Sequence, residues 1–116
     1  MGSFVEAGKT GEFNSGVMKE VEVRGNQVLL ARVGDKYFAA SSRCPHMGGR
    51  LAHGKLDGTV VTCPLHGSQF DLSDGHVVRW LKGSGVLSSI GKAIKGQQPL
   101  TIYNVKIEGE NILIEL

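Results

Sequence analysis

Short alternating runs of apolar and polar residues follow one another along the chain, and their period of two predicts strands rather than helices. The runs are Val17 to Val23, Gln27 to Val33, Lys36 to Ala40, Thr59 to Thr62, Gln69 to Leu72, His76 to Arg79, Leu100 to Ile107 and Asn111 to Leu116. Between them stand Gly25-Asn26, Gly34-Asp35, Asp74-Gly75 and Gly109-Glu110, the kind of pair that antiparallel hairpins use as two-residue turns. The expected fold is therefore all-β, a small antiparallel sandwich or barrel in a single domain over 1–116. Its basal sheets are expected from 1–40 and 76–116, with a loop-rich lobe at about 41–75 between them. One stretch has another period. In "WLKGSGVLSSIGKAIKGQQ", residues 80–98, Val86, Leu87, Ile90, Ala93 and Ile94 recur at helical spacing, with Ser84 as N-cap and Gly96 as stop. This predicts a short amphipathic helix over about 85–95.

Composition narrows the reading. Seventeen glycines in 116 residues favour a loop-rich β architecture over a helical one. A chain of this length can bury a core without disulfides. Thirteen basic and 11 acidic side chains leave a net charge of only +2, which does not suggest a nucleic-acid binder. Met1 to Gly11 has no basic stretch followed by an apolar run, and no stretch approaches the ~18 apolar residues of a membrane span. The expectation is a soluble, cytoplasmic protein whose two cysteines are thiols or metal ligands rather than a disulfide.

Those cysteines sit in a repeated element, "CPHMG" at Cys44 to Gly48 and "CPLHG" at Cys63 to Gly67. Together they read Cys44-x-His46, sixteen intervening residues, then Cys63-x-x-His66. Thiolate and imidazole both suit iron and zinc, so four such ligands on two turns can close around a metal centre. Each proline fixes a bend, and Gly48, Gly49 and Gly67 allow backbone amides to approach closely. Taken singly, each Cys would read as a small buried residue and each His as a turn residue. All four at this spacing read as a metal site. A Cys2His2 zinc finger usually places both cysteines before its histidines, whereas here they are interleaved. A Cys-His nucleophile would leave the second pair without a role.

The pattern C-x-H, sixteen residues, C-x-x-H resembles the Rieske 2Fe-2S signature, and "CPHMGG" with "CPLHGSQF" resembles the Rieske-type ferredoxin family. "LAHGKLDGTVVTCPLHGSQFDLSDGHVV" is similar to that family's link between its two loops and its next hairpin, and "PLTIYNVKIEGENILIEL" to its last two strands. The resemblance covers about 17–79 and 99–116. It implies a three-sheet fold with a cluster-binding lobe and one 2Fe-2S cluster, Cys44 and Cys63 on one iron and His46 and His66 on the other, thiolates inward and imidazoles at the surface. Two ferric ions, two sulfides and two thiolates sum to zero charge, so reduction is easier than for a four-thiolate cluster. This agrees with Rieske potentials of about −150 to +300 mV against about −400 mV for plant-type ferredoxins.

The family's quinol-oxidising respiratory members carry two more cysteines where this chain has Gly49 and Leu65, and a tyrosine where it has Phe70. Ser68 matches a serine whose hydroxyl can donate to a bridging sulfide. The resemblance thus implies a potential well below the quinol-oxidising group, lifted somewhat by Ser68. It also implies coupling of electron and proton uptake at high pH through the ligand imidazoles.

Outside the motif, His53 and His76 read as bystanders, and Met47 and Leu65 as cover for the cluster. Residues 80–98 look like an insertion relative to the family. From Val77 to Ile107 there are Arg79, Lys82, Lys92, Lys95 and Lys106 with no Asp or Glu, so the inserted lysines could also form a docking surface. No G-x-G-x-x-G fingerprint and no separate iron site of two histidines and a carboxylate is recognisable. The implied function is a monomeric one-electron carrier, not an enzyme, passing electrons from a flavoprotein reductase to a terminal oxygenase that docks over His46 and His66. The alternatives are a non-catalytic subunit resembling the small subunit of nitrite reductase, and a redox sensor.

Overall fold

The computed structural model describes residues 3–45, 49–64, 67–79 and 99–116. Eleven strands are present among them: β1 (Phe4–Lys9), β2 (Met18–Val23), β3 (Asn26–Val33), β4 (Lys36–Ser41), β5 (Lys55–Asp57), β6 (Val60–Thr62), β7 (Gln69–Asp71), β8 (Val77–Arg79), β9 (Ile102–Tyr103), β10 (Val105–Glu108) and β11 (Asn111–Glu115). They form three antiparallel sheets in the orders β1-β11-β10, β2-β3-β4-β9 and β5-β6-β7-β8. The all-β, three-sheet expectation holds. The predicted helix at about 85–95 lies outside the described residues.

The middle sheet organises the rest. In β3 the run Val28-Leu29-Leu30-Ala31 is buried on both faces. Because successive side chains of a strand point to opposite sides, Val28 and Leu30 pack with Ala39, Phe13, Ile112 and Ile114 against the first sheet. Leu29 and Ala31 pack with Ala40, Leu51, Val61, Phe70, Leu72 and Leu100 against the third. One strand thus divides two apolar cores.

Several elements differ from the sequence expectation. β1 was absent from the predicted runs; it pairs along β11, with a register shift between Glu6 and Gly8. β5 was also missed, because Lys55-Leu56-Asp57 sets one apolar residue between two charged ones and has no β-branched or aromatic side chain. Thr59, expected in a strand, lies in the turn between β5 and β6 with Gly58 at φ +59°. The β2–β3 turn is Arg24-Gly25 rather than Gly25-Asn26, since Val23 pairs with Asn26. Both turn residues have positive φ, 51° and 82°, as the first type of mirror-image hairpin turn requires. The predicted strand Leu100 to Ile107 is broken at Asn104: β9 joins the middle sheet beside β4, and β10 joins the first sheet beside β11. The Asp74-Gly75 hairpin is longer than two residues, with the Gly75 N–H donating to the Asp71 carbonyl at 2.7 Å.

Gly75 ties the third sheet to the chain's return. Its carbonyl accepts the Leu100 N–H at 2.8 Å. It has φ +83°, and a Cβ there would lie 2.2 Å from the Leu100 carbonyl oxygen. By contrast Gly58 has φ +59° but open space around it. Gly75→Ala should therefore destabilise by more than about 2 kcal/mol and Gly58→Ala by about 1 kcal/mol. Urea unfolding midpoints check this; equal midpoints for the two variants would contradict the close approach.

Candidate metal centre

The two Cys-Pro segments leave adjacent places in the fold and close in the same way. Cys44 follows β4, and its N–H donates to the Gly49 carbonyl at 2.8 Å. Cys63 follows β6, and its N–H donates to the Ser68 carbonyl at 2.7 Å. In each case a cysteine amide closes a loop on the carbonyl five residues later. An antiparallel bridge between Arg43 and Arg50 clamps the mouth of the first loop. The Thr62–Gln69 pair, with the Gln69 amide donating to the Thr62 hydroxyl at 3.1 Å, clamps the second.

Both cysteines are only 2% exposed, neither is in a disulfide, and both belong to the apolar core between the middle and third sheets. His46 and His66, with Met47 and Leu65, lie outside the described residues. Ser68 is fully buried beside Cys63, and Phe70 is fully buried in the core below. His53 is exposed at the end of a 3-10 turn, Leu51–His53. His76 is exposed and meets Asp74, Nδ1 to Oδ1 at 2.5 Å.

Sequence reading missed the polar ties that hold these loops. Glu20 on β2 accepts the buried Ser42 hydroxyl at 2.6 Å and faces the Arg50 guanidinium at 3.8 Å, so one carboxylate braces both sides of the first loop. Ser42 in turn donates its N–H to Gln27 and accepts from Leu51 N–H, at 3.0 and 2.8 Å. Arg79 on β8 donates from Nε and Nη2 to the Gly67 carbonyl at 3.1 and 2.9 Å, gripping the second loop. Gly54 lies so near β6 that a Cβ would stand 1.8 Å from the Thr62 carbonyl oxygen. Contacts between residues so far apart in sequence leave no local signal.

The donor set suits a thiolate-binding metal centre. Two thiols outside any disulfide lie on short, internally bonded loops, and the apolar core around them excludes water from the sulfur side. A bound cation would supply the charge that makes buried thiolates tolerable.

The β7–β8 turn that leads to Arg79 is held by two carboxylates. The Ser73 hydroxyl and N–H donate to Asp71 Oδ1 at 2.6 and 2.8 Å, and these bonds, the hydroxyl's foremost, hold the Asp71 carboxyl below the usual carboxylate range despite the opposing effect of partial burial. The His76 N–H, donating at 3.0 Å, does the same for Asp74.

Comparison with known proteins gives a consistent picture. Residues 3–89 match the Rieske [2Fe-2S] domain. The chain is 29% identical over 107 residues to the ferredoxin component of biphenyl 2,3-dioxygenase from Rhodococcus jostii (strain RHA1), covering 92% of this chain and 87% of that one. It is 29% identical over 105 residues to the ferredoxin component of the naphthalene 1,2-dioxygenase system of Pseudomonas aeruginosa, covering 90% and 88%. The solved ferredoxin of carbazole 1,9a-dioxygenase from Nocardioides aromaticivorans IC177 superposes with a TM-score of 0.79 at 25% identity, over 97% of this chain and 96% of that one.

A carboxyl with a depressed pKa stabilises the fold fully above its unfolded value and loses that contribution as pH falls through its folded value. Asp71→Ala should therefore lower the melting temperature at pH 7 by an amount equivalent to about 1 kcal/mol or less, given solvent screening. The gap from wild type should close as pH drops below about 4. Thermal melts across that range check it, and a gap that widens on acidification would contradict the assignment.

Proposed function

The chain belongs to the Rieske [2Fe-2S] domain family, and from that premise we propose that it is an electron carrier, not an enzyme, delivering single electrons from one 2Fe-2S cluster to a terminal oxygenase. Relatives that are ferredoxin components of biphenyl and naphthalene dioxygenase systems, matched over 87% and 88% of their own length, support this reading. Such a match favours a free-standing carrier over a subunit buried in a larger assembly. A flavoprotein reductase as donor, a monomeric state and a cytoplasmic location complete the proposal.

In this reading Cys44 and Cys63 hold one iron and His46 and His66 the other. The observation that carries it is the pair of buried, disulfide-free thiols at the bases of two identically closed loops. When bound, the cluster supplies a one-electron couple at potentials characteristic of mixed Cys/His ligation. The residues around it do the remainder. The amides of Cys44 and Cys63, each bonded within its own loop, fix the backbone from which the thiols extend. Leu51, Val61, Phe70 and Leu72 keep water from the thiolate side. The Ser68 hydroxyl, buried beside Cys63, would serve as a hydrogen-bond donor to the cluster and so favour the more negative reduced state. Phe70 offers no hydroxyl, and Gly49 no thiol for a disulfide between the loops. In this reading both absences favour a potential below that of the quinol-oxidising members of the family. Partners dock over His46 and His66.

Replacing ligands tests the assignment. Cys44→Ser, Cys63→Ser and His66→Ala should each abolish the visible chromophore of the iron-replete protein, whereas His53→Ala and His76→Ala should leave it intact. The wild-type protein should accept one electron from a flavoprotein reductase and support turnover of a Rieske oxygenase. A His66→Ala protein with an unchanged spectrum, or a chromophore lost with His53, would overturn the ligand set.

A further inference from the structure

Arg79 occupies a position that β-pairing alone would not give it. On β7, Gln69 and Phe70 are consecutive, yet their partners on β8 are Arg79 and Val77. Val78 is therefore the extra residue of a β-bulge and is left 46% exposed. Bulges re-aim the side chains beside them. Here the consequence is that Arg79, rather than Val78, stands opposite Gln69 and reaches the second Cys-Pro loop.

Its guanidinium fork donates two N–H groups to one acceptor, the Gly67 carbonyl, at 3.1 and 2.9 Å. Among the described residues this carbonyl is the guanidinium's hydrogen-bond partner, and no carboxylate forms an ion pair with it. Gly67 is held from its other side as well, its N–H donating to the Cys63 carbonyl at 3.1 Å while its φ is +74°. Because a peptide unit is planar and trans, fixing the Gly67 carbonyl fixes the direction of the Ser68 N–H on the opposite side of the same plane. A charged donor also polarises the peptide it binds more strongly than a neutral one does. At the first loop Arg50 faces the Glu20 carboxylate, and Arg43 donates from Nε to the Gln27 side-chain carbonyl at 2.9 Å.

We propose that Arg79 is a positioning residue for the second cluster loop whose positive charge also raises the reduction potential of the centre. This rests on the reading above that Cys63 and His66 bind the cluster. A fixed positive charge favours the reduced state, which is more negative by one unit. The two-pronged bond keeps the Gly67–Ser68 peptide in one orientation while that charge changes.

The test compares wild-type holoprotein with Arg79→Gln, which keeps a donor without the charge, and Arg79→Lys, which keeps the charge without the fork. Lys106→Gln, on the first sheet beyond the middle sheet, is the control for loss of a remote charge. Protein-film voltammetry should show the reduction equilibrium of Arg79→Gln shifted toward the oxidised form by up to about tenfold, or ~59 mV for one electron. Arg79→Lys should lie closer to wild type, and Lys106→Gln should match it. The EPR signature of mixed ligation should persist in all of them. Should Arg79→Gln fail to assemble, Arg79→Met, which keeps the apolar stem without the charge, is read in its place. A midpoint within about twofold of the wild-type equilibrium in the neutral variant overturns the proposal. So does a shift of equal size in Lys106→Gln. Wild-type protein without iron and labile sulfide would instead refute the cluster reading itself, so the two failures are distinguishable.

Discussion

Two cysteine side chains packed into hydrocarbon set the terms for the rest of this molecule. Cys44 and Cys63 share their core with Leu29, Leu51, Val61, Phe70 and Leu72. A bare thiolate in such surroundings would be an uncompensated buried charge, which costs several kcal/mol. Iron bound by these thiolates, as proposed, would remove that cost, and the same burial would then keep water and stray oxidants from the sulfurs. The apolar core and the metal chemistry are in this sense one feature.

The architecture supplies both halves of it. β3, buried on its two faces, gives the first sheet one core and the lobe another, so the lobe's apolar residues have a rigid floor to pack on. Above that floor the backbone makes two loops with the same closing bond, from a cysteine amide to the carbonyl five residues on. Long-range polar ties then hold each loop from outside: Glu20 through Ser42 and Arg50 on one, Arg79 through Gly67 on the other. Electron transfer benefits from such bracing, since a site that moves little between oxidation states has little to reorganise.

Much of this was legible in the sequence, for identifiable reasons. β2, β3 and β4 of the middle sheet announce themselves because each is at least six residues long with alternation or a buried apolar run, and Gly34-Asp35 and Gly109-Glu110 occur at the turns they mark. The family and its cofactor follow from spacing that chance seldom produces. What escaped was short or distant. β5 has a single leucine between two charges and no β-branched or aromatic residue, and β1 is interrupted by a register shift and by Gly8. The break at Asn104 separates strands that read as one run, because the chain changes sheets there without a proline or glycine to mark it. The Glu20–Ser42 bond spans twenty-two positions, and Arg79 reads in sequence as one more member of a basic stretch; only the bulge at Val78 reveals what it holds.

The central claim is that two thiolates and two imidazoles share a single pair of sulfide-bridged irons. An EPR spectrum of the dithionite-reduced protein tests this most directly. The expected signal integrates to one spin per protein, with an average g value lower than that of an all-cysteine 2Fe-2S cluster. An average g value in the all-cysteine range, or a protein that binds zinc and stays silent after reduction, would contradict it.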